Sequence, residues 1–363
     1  MTISRGESKR VLFINPFGIG DVLFTTPVLR LLKESDPGIY IGYWCNERVA
    51  AILKNHPYID KIFALSRGDI KKIYRQSMFK GLAASMGIAR RIKNEKFDIA
   101  LDFSLDDHYS HVSRRIGIKR RIGFNYKFRG RYLTDKLDLE GYSGKHVVEH
   151  YLDLLKFIDI QPKVQGLELF VPDEDSKEAG KLLATYGIGD SDLVIGVAPG
   201  AGASWGKDAE FKRWPPVKFA RIADKIADNF KAKIVLLGDE SEKPIADTIS
   251  GFMRNKPVDL VGKTSLEELA AVISRLKLLI SNDGGPLHMA VALGIKTVSV
   301  FGPVDEKVYG PYPEGKLHAV VTHEIQCRPC YKKFRLSECN RDKVCITAVS
   351  IEDVYQSVRG LLA

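Results

Sequence analysis

The sequence predicts an α/β fold of two similar domains, each built on a parallel sheet with helices across it. Short apolar strands alternate with amphipathic helices in two successive runs, from Val11 to Ser104 and from Asp192 to Pro303. Such alternation is typical of parallel sheets with crossover helices. Each run opens with a strand that leads into a glycine loop, which favours two similar lobes facing one cleft. With 363 residues, 45% of them hydrophobic, the chain can bury two cores.

Periodicity places the elements of the first run. We predict strands over residues 11–15, 39–45 and 97–104, and helices over residues 22–35 and 78–94. Pro27 must then lie in the first turns of its helix or kink it. The pattern weakens between Arg114 and Phe170, where only one helix is predicted, over residues 147–160.

The alternation starts again beyond Pro172, which we take as the domain boundary. Strands are predicted over residues 192–200 and 296–303, and helices over residues 216–230, 286–294 and 351–362. The predicted domains are residues 1–171, residues 172–347, and a C-terminal helix at residues 348–363 that we expect to pack back on the first domain.

Positive charge is concentrated in two stretches of a chain whose formal net charge is +10. Residues 114–131 include no acid, and residues 67–96 are also mostly basic. Clustered cations favour polyanionic partners such as nucleic acid, anionic lipid or a phosphorylated glycan, whereas a solvated surface is the simpler alternative. The sequence has no recognisable nucleic-acid-binding motif, so we rank that partner last and expect none.

Nothing in the sequence predicts a membrane-spanning segment. No apolar run approaches the roughly 20 residues that a spanning helix needs, and the polar N-terminal residues lack the apolar region of a secretory signal. We therefore expect a cytoplasmic protein.

The first glycine loop, residues 18–21, carries a carboxylate. A glycine loop after a first strand allows close approach of a ligand to the backbone, but Asp21 would repel a phosphate. Asp21 is either an acid that complements the dipole of the following helix or a general base held at a cleft.

Two loops of the second run are candidates for binding a diphosphate. Small residues in the first loop, including Gly202 and Ser204, precede the cation Lys212, and bare N–H groups beside a cation suit a phosphate. A flexible surface loop is the alternative.

The second of these loops, residues 281–288, leads from a strand into a helix. We expect Asn282 or Asp283 to cap that helix and Pro286 to lie in its first turn. The positive helix end would bind an anion, with His288 close to it.

Acids follow the strand predicted at residues 232–240. In nucleotide-binding sheets an acid at such a strand end commonly holds ribose hydroxyls, and Glu240 and Glu242 are the candidates. A solvated loop is equally consistent with this spacing.

Together these motifs resemble those of the ADP-heptose:lipopolysaccharide heptosyltransferases, glycosyltransferase family nine. The likeness extends from about Val11 to past Cys345. It rests on Gly20-Asp21, Thr25-Thr26-Pro27-Val28-Leu29, Lys54-Asn55-His56-Pro57-Tyr58-Ile59-Asp60, Lys212-Arg213-Trp214-Pro215, the segment from Ser281 to Ala290, and Phe301-Gly302-Pro303. The resemblance implies the GT-B fold, with two Rossmann-like domains facing a central cleft, inversion at the anomeric carbon, and no cofactor or catalytic metal.

The resemblance also implies roles for individual residues. Asp21 matches the catalytic base and Lys212 the lysine that neutralises the donor phosphates. The remaining donor contacts are matched by Asp283 near the donor sugar, Gly202, Ser204, Gly284, Gly285 and His288 at the diphosphate, Glu242 (with Glu240 competing) at the ribose, and Thr264 at the adenine. Gly284 stands where the family commonly has a threonine, so one hydroxyl donor is missing.

Four cysteines lie close together near the C-terminus. Cys327, Cys330, Cys339 and Cys345 have spacings that could ligate Zn²⁺. A structural metal site, a labile disulfide and free thiols are equally weighted alternatives, and disulfides are disfavoured in a reducing cytosol.

The sequence therefore predicts an inverting, metal-independent glycosyltransferase. It would move a heptose or a related sugar from an ADP-sugar to an acidic, phosphorylated lipopolysaccharide core at the cytoplasmic face of the inner membrane. The arginines expected to attract that acceptor are Arg114, Arg115, Arg120 and Arg121. A sugar-nucleotide epimerase or hydrolase of the same shape, or a family member with another donor and glycan acceptor, is the alternative.

Overall fold

The computed structural model describes residues 9–363, without the side chains of residues 203 and 204. The chain divides into two compact units. The first contains the described residues up to Tyr142 and the segment Val147–Gln165, and the second contains Ser143–His146 and Gly166–Ala363. The boundary thus lies a few residues before the predicted one, and a short segment of the predicted first domain belongs to the second unit.

The first unit has a six-stranded, fully parallel sheet in the order β3-β2-β1-β4-β5-β6. Its strands are β1 (Arg10–Ile14), β2 (Tyr40–Cys45), β3 (Lys61–Ala64), β4 (Ile99–Asp102), β5 (Arg120–Tyr126) and β6 (Asp135–Leu139). Its helices are α1 (Ile19–Leu23), α2 (Thr26–Ser35), α3 (Ala50–Leu53), α4 (Arg67–Gln76), α5 (Met78–Asn94), α6 (Asp107–Arg115) and α7 (Val147–Asp153). The central strand β1 is buried throughout its apolar residues, as a parallel strand covered on both faces must be.

The second unit repeats this architecture. Its parallel sheet has the order β12-β11-β10-β7-β8-β9, with strands β7 (Val194–Ala198), β8 (Lys233–Leu236), β9 (Val258–Asp259), β10 (Leu278–Asn282), β11 (Lys296–Phe301) and β12 (His318–Thr322). A separate antiparallel hairpin pairs β13 (Tyr331–Lys332) with β14 (Arg335–Leu336). The helices are α8 (Asp173–Thr185), α9 (Pro216–Phe230), α10 (Lys243–Phe252), α11 (Leu266–Ser274), α12 (Gly285–Ala292), α13 (Glu306–Tyr309), α14 (Val344–Thr347) and α15 (Ile351–Leu362).

Counted within each unit, both sheets follow the strand order 3-2-1-4-5-6. This is the Rossmann order, in which ligands bind beyond the carboxyl ends of the strands where the order reverses. That point lies between β1 and β4 in the first unit, and between β7 and β10 in the second. The α/β prediction is confirmed, and the repeated topology directs attention to the loops that follow these four strands.

Several predicted elements are present with nearly the expected bounds. Helix α5 covers the predicted residues 78–94, and Pro27 lies at the start of α2, where its missing N–H has no cost. Strands β5 and β6 were missed because both are rich in charged residues and their apolar alternation is short. Strand β12 and the two short hairpin strands were missed as well. The helix predicted over residues 147–160 is α7, followed by a 3₁₀ segment at Leu154–Ile158.

The C-terminal helix, which we expected to pack back on the first domain, is part of the second unit. Val354 and Val358 of α15 are fully buried in the core that also contains Phe219 and Ile226 of α9. Lys225 pairs with Glu352 at a distance of 2.6 Å along the edge of this contact. The apolar stripe of α15 is thus covered by α9 within the second unit.

Gly123 on β5 provides a test of how closely the strands of the first sheet are spaced. A Cβ at this position would lie 2.5 Å from the carbonyl oxygen of Asp102 on the neighbouring strand. We expect Gly123→Ala to destabilise the protein by about 1–3 kcal/mol, since backbone must move to accept the methyl group. Thermal unfolding followed by circular dichroism measures this as a lower apparent midpoint.

Gly87→Ala is the matched control in the same unit. Its Cβ would meet no atom within 4 Å on α5, and alanine has a helix propensity better than that of glycine by about 1 kcal/mol. The midpoint is therefore expected to stay or rise. An unchanged midpoint for Gly123→Ala would show that the two strands separate without cost.

Candidate active site

The loops that follow β7 and β10 are fastened together by Asn282, the last residue of β10. Its Nδ2 donates to the carbonyl oxygens of Pro199 at 2.7 Å and Gly200 at 3.3 Å. Its Oδ1 accepts the Trp214 N–H at 3.0 Å, and the Trp214 indole N–H in turn donates to the carbonyl oxygen of Val349. The side-chain amide of Asn282, which is buried, thus joins three segments: the loop after β7, the segment at Trp214 and the end of β10.

A buried ion pair lies in the same place. The Lys212 Nζ is 2.7 Å from the Asp283 Oδ2, and their side chains are only 5% and 9% exposed. His288 Nε2 lies 3.8 Å from the other carboxylate oxygen of Asp283, and the Trp205 ring centroid is 4.3 Å from the Lys212 Nζ. Three residues predicted to contact the donor, Lys212, Asp283 and His288, are therefore in one cluster.

The charge state of Asp283 follows from this cluster. Burial raises the pKa of its carboxyl, but the charge of Lys212 and the hydrogen bonds from His288 and Lys212 outweigh burial, so the pKa is below its ordinary value. The carboxylate is thus ionised at neutral pH. The cluster keeps a lysine cation inside the protein, at a site where water is largely excluded.

Helix α12 begins next to this cluster with a backbone that no described side chain caps. Gly284 is the N-cap residue, with extended backbone, and Pro286 lies in the first turn. Our expectation of a cap from Asn282 or Asp283 is therefore wrong, since Asn282 belongs to β10 and Asp283 accepts from Lys212 instead. The N–H groups at the start of an uncapped helix can bind an anion.

Glu242 connects the β7 loop to the loop after β8. It ends the 3₁₀ segment Glu240–Glu242, is 6% exposed and accepts the Asp239 N–H at 3.2 Å. The N–H of Gly202 also donates to its carboxylate. Burial and the charge of Asp239 raise the pKa of this carboxyl, so Glu242 is a hydrogen-bonded acid fixed at the carboxyl edge of the sheet.

The remaining predicted donor residues lie around these loops. Glu240 is exposed and stands beside Gly262, whose N–H donates to the carbonyl oxygen of Gly238. Thr264 follows in the same loop and is half-buried. Gly285 is the first residue of α12. The predicted Ser204 side chain lies outside the part of the chain that the structure describes.

In the first unit, Asp21 lies in the first turn of the short helix α1 and is half-buried. Asn15 donates to its carbonyl oxygen at 2.9 Å and accepts the Phe17 N–H at 3.2 Å. Asn46 donates to the carbonyl oxygens of Pro16 and Phe17. These two asparagines, which sequence reasoning missed, fix the loop that carries Asp21.

The carboxylate of Asp21 acts on two buried tyrosines. Burial raises the pKa of Tyr43 and of Tyr151 well above 10, and the negative charge of Asp21 contributes to both shifts. The phenol of Tyr43 is also 2.7 Å from the Thr25 hydroxyl. Asp21 is therefore close enough to affect two buried tyrosines, whose hydroxyl groups stay protonated.

A second carboxyl at the same sheet edge was not predicted. Asp102 ends β4, beside Ile14 of β1, and accepts the Ser104 N–H at 2.9 Å. Burial raises its pKa to about 7, against the opposing hydrogen bonds from Ser104. An aspartate that ends a buried strand next to β1 is the signal that could have identified it.

The four arginines predicted to attract the acceptor fall into two pairs. Arg120 bonds to Asp135 and to the carbonyl oxygen of Phe157, and Arg121 donates to the carbonyl oxygens of Ile118, Lys119 and Tyr132. These two guanidinium groups are occupied by structural partners. Arg114 and Arg115 are exposed at the end of α6 and remain candidates for acceptor contact.

The four C-terminal cysteines are free thiols, as is Cys45. Burial and the neighbouring thiols of Cys330, Cys339 and Cys327 raise the pKa of Cys345 to about 11. Within the described residues, no group of three histidine, cysteine, aspartate or glutamate side chains is arranged to hold a metal ion.

No helix of the described chain combines the length and apolarity needed to cross a membrane.

Comparison with known proteins identifies the family to which the chain is similar. The family model described as glycosyltransferase family 9 (heptosyltransferase) matches residues 86–340. The chain is 25% identical to lipopolysaccharide heptosyltransferase 1 of Campylobacter coli over 97% of its own length and 98% of that protein.

Two solved structures are also similar. A glycosyltransferase of family 9 from Veillonella parvula has a TM-score of 0.81 and 24% identity, covering 100% of this chain and 99% of that one. The Escherichia coli heptosyltransferase WaaC with ADP has a TM-score of 0.71 and 19% identity, covering 96% and 99%. The predicted GT-B fold class is thereby confirmed.

Lys212→Met tests the buried ion pair, because it leaves the Asp283 carboxylate without its cation. Loss of one partner of a buried pair costs roughly 3–5 kcal/mol, so the apparent unfolding midpoint at neutral pH is expected to fall. The double variant Lys212→Met/Asp283→Asn removes both charges and is expected to recover part of the loss. Lys181→Met removes an exposed pair with Glu178 and serves as the control with little effect.

The pH dependence of this loss is a second readout. A carboxyl whose pKa is lower in the folded than in the unfolded protein stabilises the fold at a pH above its unfolded-state pKa. This stabilisation is lost as the pH falls through its folded-state pKa. In Lys212→Met, burial favours the protonated form of Asp283 and only His288 remains to oppose it, so the pKa of this carboxyl rises relative to the parent. The difference in unfolding midpoint between Lys212→Met and the parent protein is therefore expected to become smaller as the pH falls. A difference that stays constant with pH would contradict an ionised Asp283.

The cysteines are expected to react with iodoacetamide in the order of their exposure and acidity. Cys327 is exposed, whereas Cys345 and Cys45 are buried with pKa values of about 11 and about 12. Because the thiolate is the nucleophile, mass spectrometry at mildly alkaline pH should find Cys327 modified first and the two buried thiols last. Equal rates would mean that the C-terminal segment opens in solution.

Proposed function

Because the chain belongs to glycosyltransferase family 9 (heptosyltransferase), we propose that it transfers a heptose from ADP-heptose to the core of a lipopolysaccharide. The relative from Campylobacter coli is a lipopolysaccharide heptosyltransferase, and the similar structure of WaaC contains ADP. The enzyme class follows from the family, while the donor, the acceptor and the roles of individual residues are our proposal.

The observation that carries the proposal is the Lys212–Asp283–His288 cluster at the start of α12. A leaving nucleoside diphosphate gains negative charge as the glycosidic bond breaks. A buried lysine cation and the N–H groups of a helix end can stabilise that charge, with no reorganisation when the reaction occurs. We therefore assign the diphosphate to this cluster and to the loop at Gly202, and propose that transfer requires no metal ion.

The nucleoside is assigned to the adjacent loops of the same unit. Glu242 lies at the end of β8, where an acid accepts hydrogen bonds from ribose hydroxyls in Rossmann sheets. Thr264 is placed near the base because its loop is hydrogen-bonded to the loop after β8 through Gly262 and Gly238.

Asp21 is proposed as the general base. Its oxygen takes the proton of an acceptor hydroxyl, whose oxygen forms a bond to the anomeric carbon of heptose. The bond from that carbon to the β-phosphate oxygen breaks on the opposite face, so the configuration inverts and ADP leaves with the electron pair. The loop bonds from Asn15 and Asn46 keep the Asp21 backbone in place.

The acceptor is proposed to be an acidic, phosphorylated glycolipid that Arg114 and Arg115 attract. Its lipid part implies that the enzyme works at the cytoplasmic face of the inner membrane, as a peripheral protein. A donor other than ADP-heptose with another glycan acceptor is the second candidate, favoured by Gly284, which replaces the threonine hydroxyl expected at the donor loop.

A donor panel tests the proposal. The protein is incubated with ADP-heptose, ADP-glucose, UDP- and GDP-sugars, each with and without a heptose-free lipopolysaccharide core, and nucleotide release is measured. We expect acceptor-dependent release of ADP from ADP-heptose, unchanged by a chelator of divalent metals. Release from another sugar nucleotide alone would overturn the donor, and acceptor-independent release would indicate a hydrolase.

Asp21→Asn is expected to bind ADP with the parent affinity and to lose transfer by about 10²–10⁴-fold, because only the proton acceptor is removed. The matched control is Asp173→Asn, on an exposed acid in the first turn of α8, which should leave transfer unchanged. Parent-like turnover of Asp21→Asn would place the base elsewhere.

A further inference from the structure

Helix α5 has two separate apolar faces, of which only one is covered. Its buried residues are Gly81, Ile88 and Ile92, and the two isoleucines belong to the core of the first unit. At about 100° per residue these three positions occupy one narrow arc of the helix. The helix therefore needs no further apolar residues to pack on its sheet.

The second face is apolar and exposed. It consists of Met78, Phe79, Leu82 and Met86, which are 74%, 84%, 51% and 65% exposed. On a helical projection these four positions fall within an arc of about 100°. Tyr74 at the end of α4 is 39% exposed beside them, and its ring packs where Gly81 has no side chain.

The concentration of exposed apolar side chains is specific to this place. Elsewhere in the described chain the large exposed apolar residues are isolated in the sequence, for example Phe128, Tyr186 and Phe252. Exposed apolar residues that occur singly are normal on a soluble surface, whereas a contiguous group marks an interaction site. An exposed apolar stripe on one helix indicates a partner that provides an apolar environment.

The charge around the stripe is entirely positive. Between Asp69 and Glu95 the chain contains seven cations and no acid. All seven are exposed, namely Lys71, Lys72, Arg75, Lys80, Arg90, Arg91 and Lys93. Helices that lie in a membrane interface combine an apolar face with lysine and arginine side chains. The stripe and the cations of the same segment have this composition.

We propose that α4 and α5 form a docking surface for the anionic phospholipid bilayer, with the Met78–Met86 stripe inserted among the acyl chains near the headgroups. The exposed cations of this segment are attracted by the lipid phosphates over about a Debye length. A second copy of this chain on the same surface would bring two positively charged segments together. The inference rests on the proposed function only in that a lipid-linked acceptor requires such a location.

Vesicle co-sedimentation tests the surface without donor or acceptor, so its outcome is independent of sugar transfer. The purified full chain is mixed with vesicles of phosphatidylglycerol and phosphatidylethanolamine, or with pure phosphatidylcholine vesicles. We expect binding to the anionic vesicles that weakens with salt, and little binding to the zwitterionic ones. Failure to sediment with anionic vesicles at low salt overturns the proposal.

Phe79→Ser/Met86→Ser removes two of the four exposed side chains of the stripe without touching the core, and is expected to lower vesicle affinity by at least about tenfold. Phe252→Ser, on an exposed residue of α10 in the other unit, is the matched control and should bind as the parent does. Parent-like binding by the double variant overturns the assignment of this surface.

A depth probe and a mass measurement complete the test. Phe79→Trp is expected to be quenched by brominated phospholipids, and Phe252→Trp to be quenched no more than the parent. Light scattering gives the oligomeric state. A parent dimer that becomes monomeric in Phe79→Ser/Met86→Ser identifies the stripe as a self-association face and overturns the lipid assignment.

Discussion

The second unit depends on one buried ion pair, Lys212 with Asp283. Two charges within a largely water-free site are stable only if both partners stay in place, so the segment after β7 and the loop after β10 are constrained to each other. Asn282 adds a main-chain constraint between the same two loops. The uncapped start of α12 therefore has a fixed position relative to the lysine cation, and this fixed pair of positive groups is what a diphosphate requires.

The same strand order supports opposite chemistry in the two units. At the reversal of the first sheet the side chains are acids, Asp21 after β1 and Asp102 at the end of β4. At the reversal of the second sheet, the Lys212–Asp283 ion pair lies beside the bare main-chain amides at the start of α12. A scaffold that offers its loops at one sheet edge can serve proton transfer in one copy and anion binding in the other, because only the loop residues differ.

Sequence patterns predicted most of the fold and the central part of the site. Apolar strands such as β1 and β7, and glycine loops after them, are unambiguous because burial on both faces leaves no choice of residue. Strands β5 and β6 were missed because both carry charged residues: β6 is an edge strand, which tolerates aspartate and lysine, and its neighbour β5 begins with two arginines. The predicted cap of α12 was wrong because a side chain's partner, such as Lys212 for Asp283, depends on long-range contacts that local spacing does not encode. Asn15 and Asn46 were missed for the same reason.

The Glu242 carboxylate occupies a space that exists only because residue 200 is glycine. A Cβ at this position would lie 1.6 Å from the Glu242 Oε1, and one at Gly238 would lie 2.5 Å from Oε2. A combinatorial library that varies these loops to change nucleotide preference should keep both glycines, because any larger residue expels the acid rather than reshaping the pocket. Half-buried Thr264 is the position where diversity can be introduced without dismantling the scaffold.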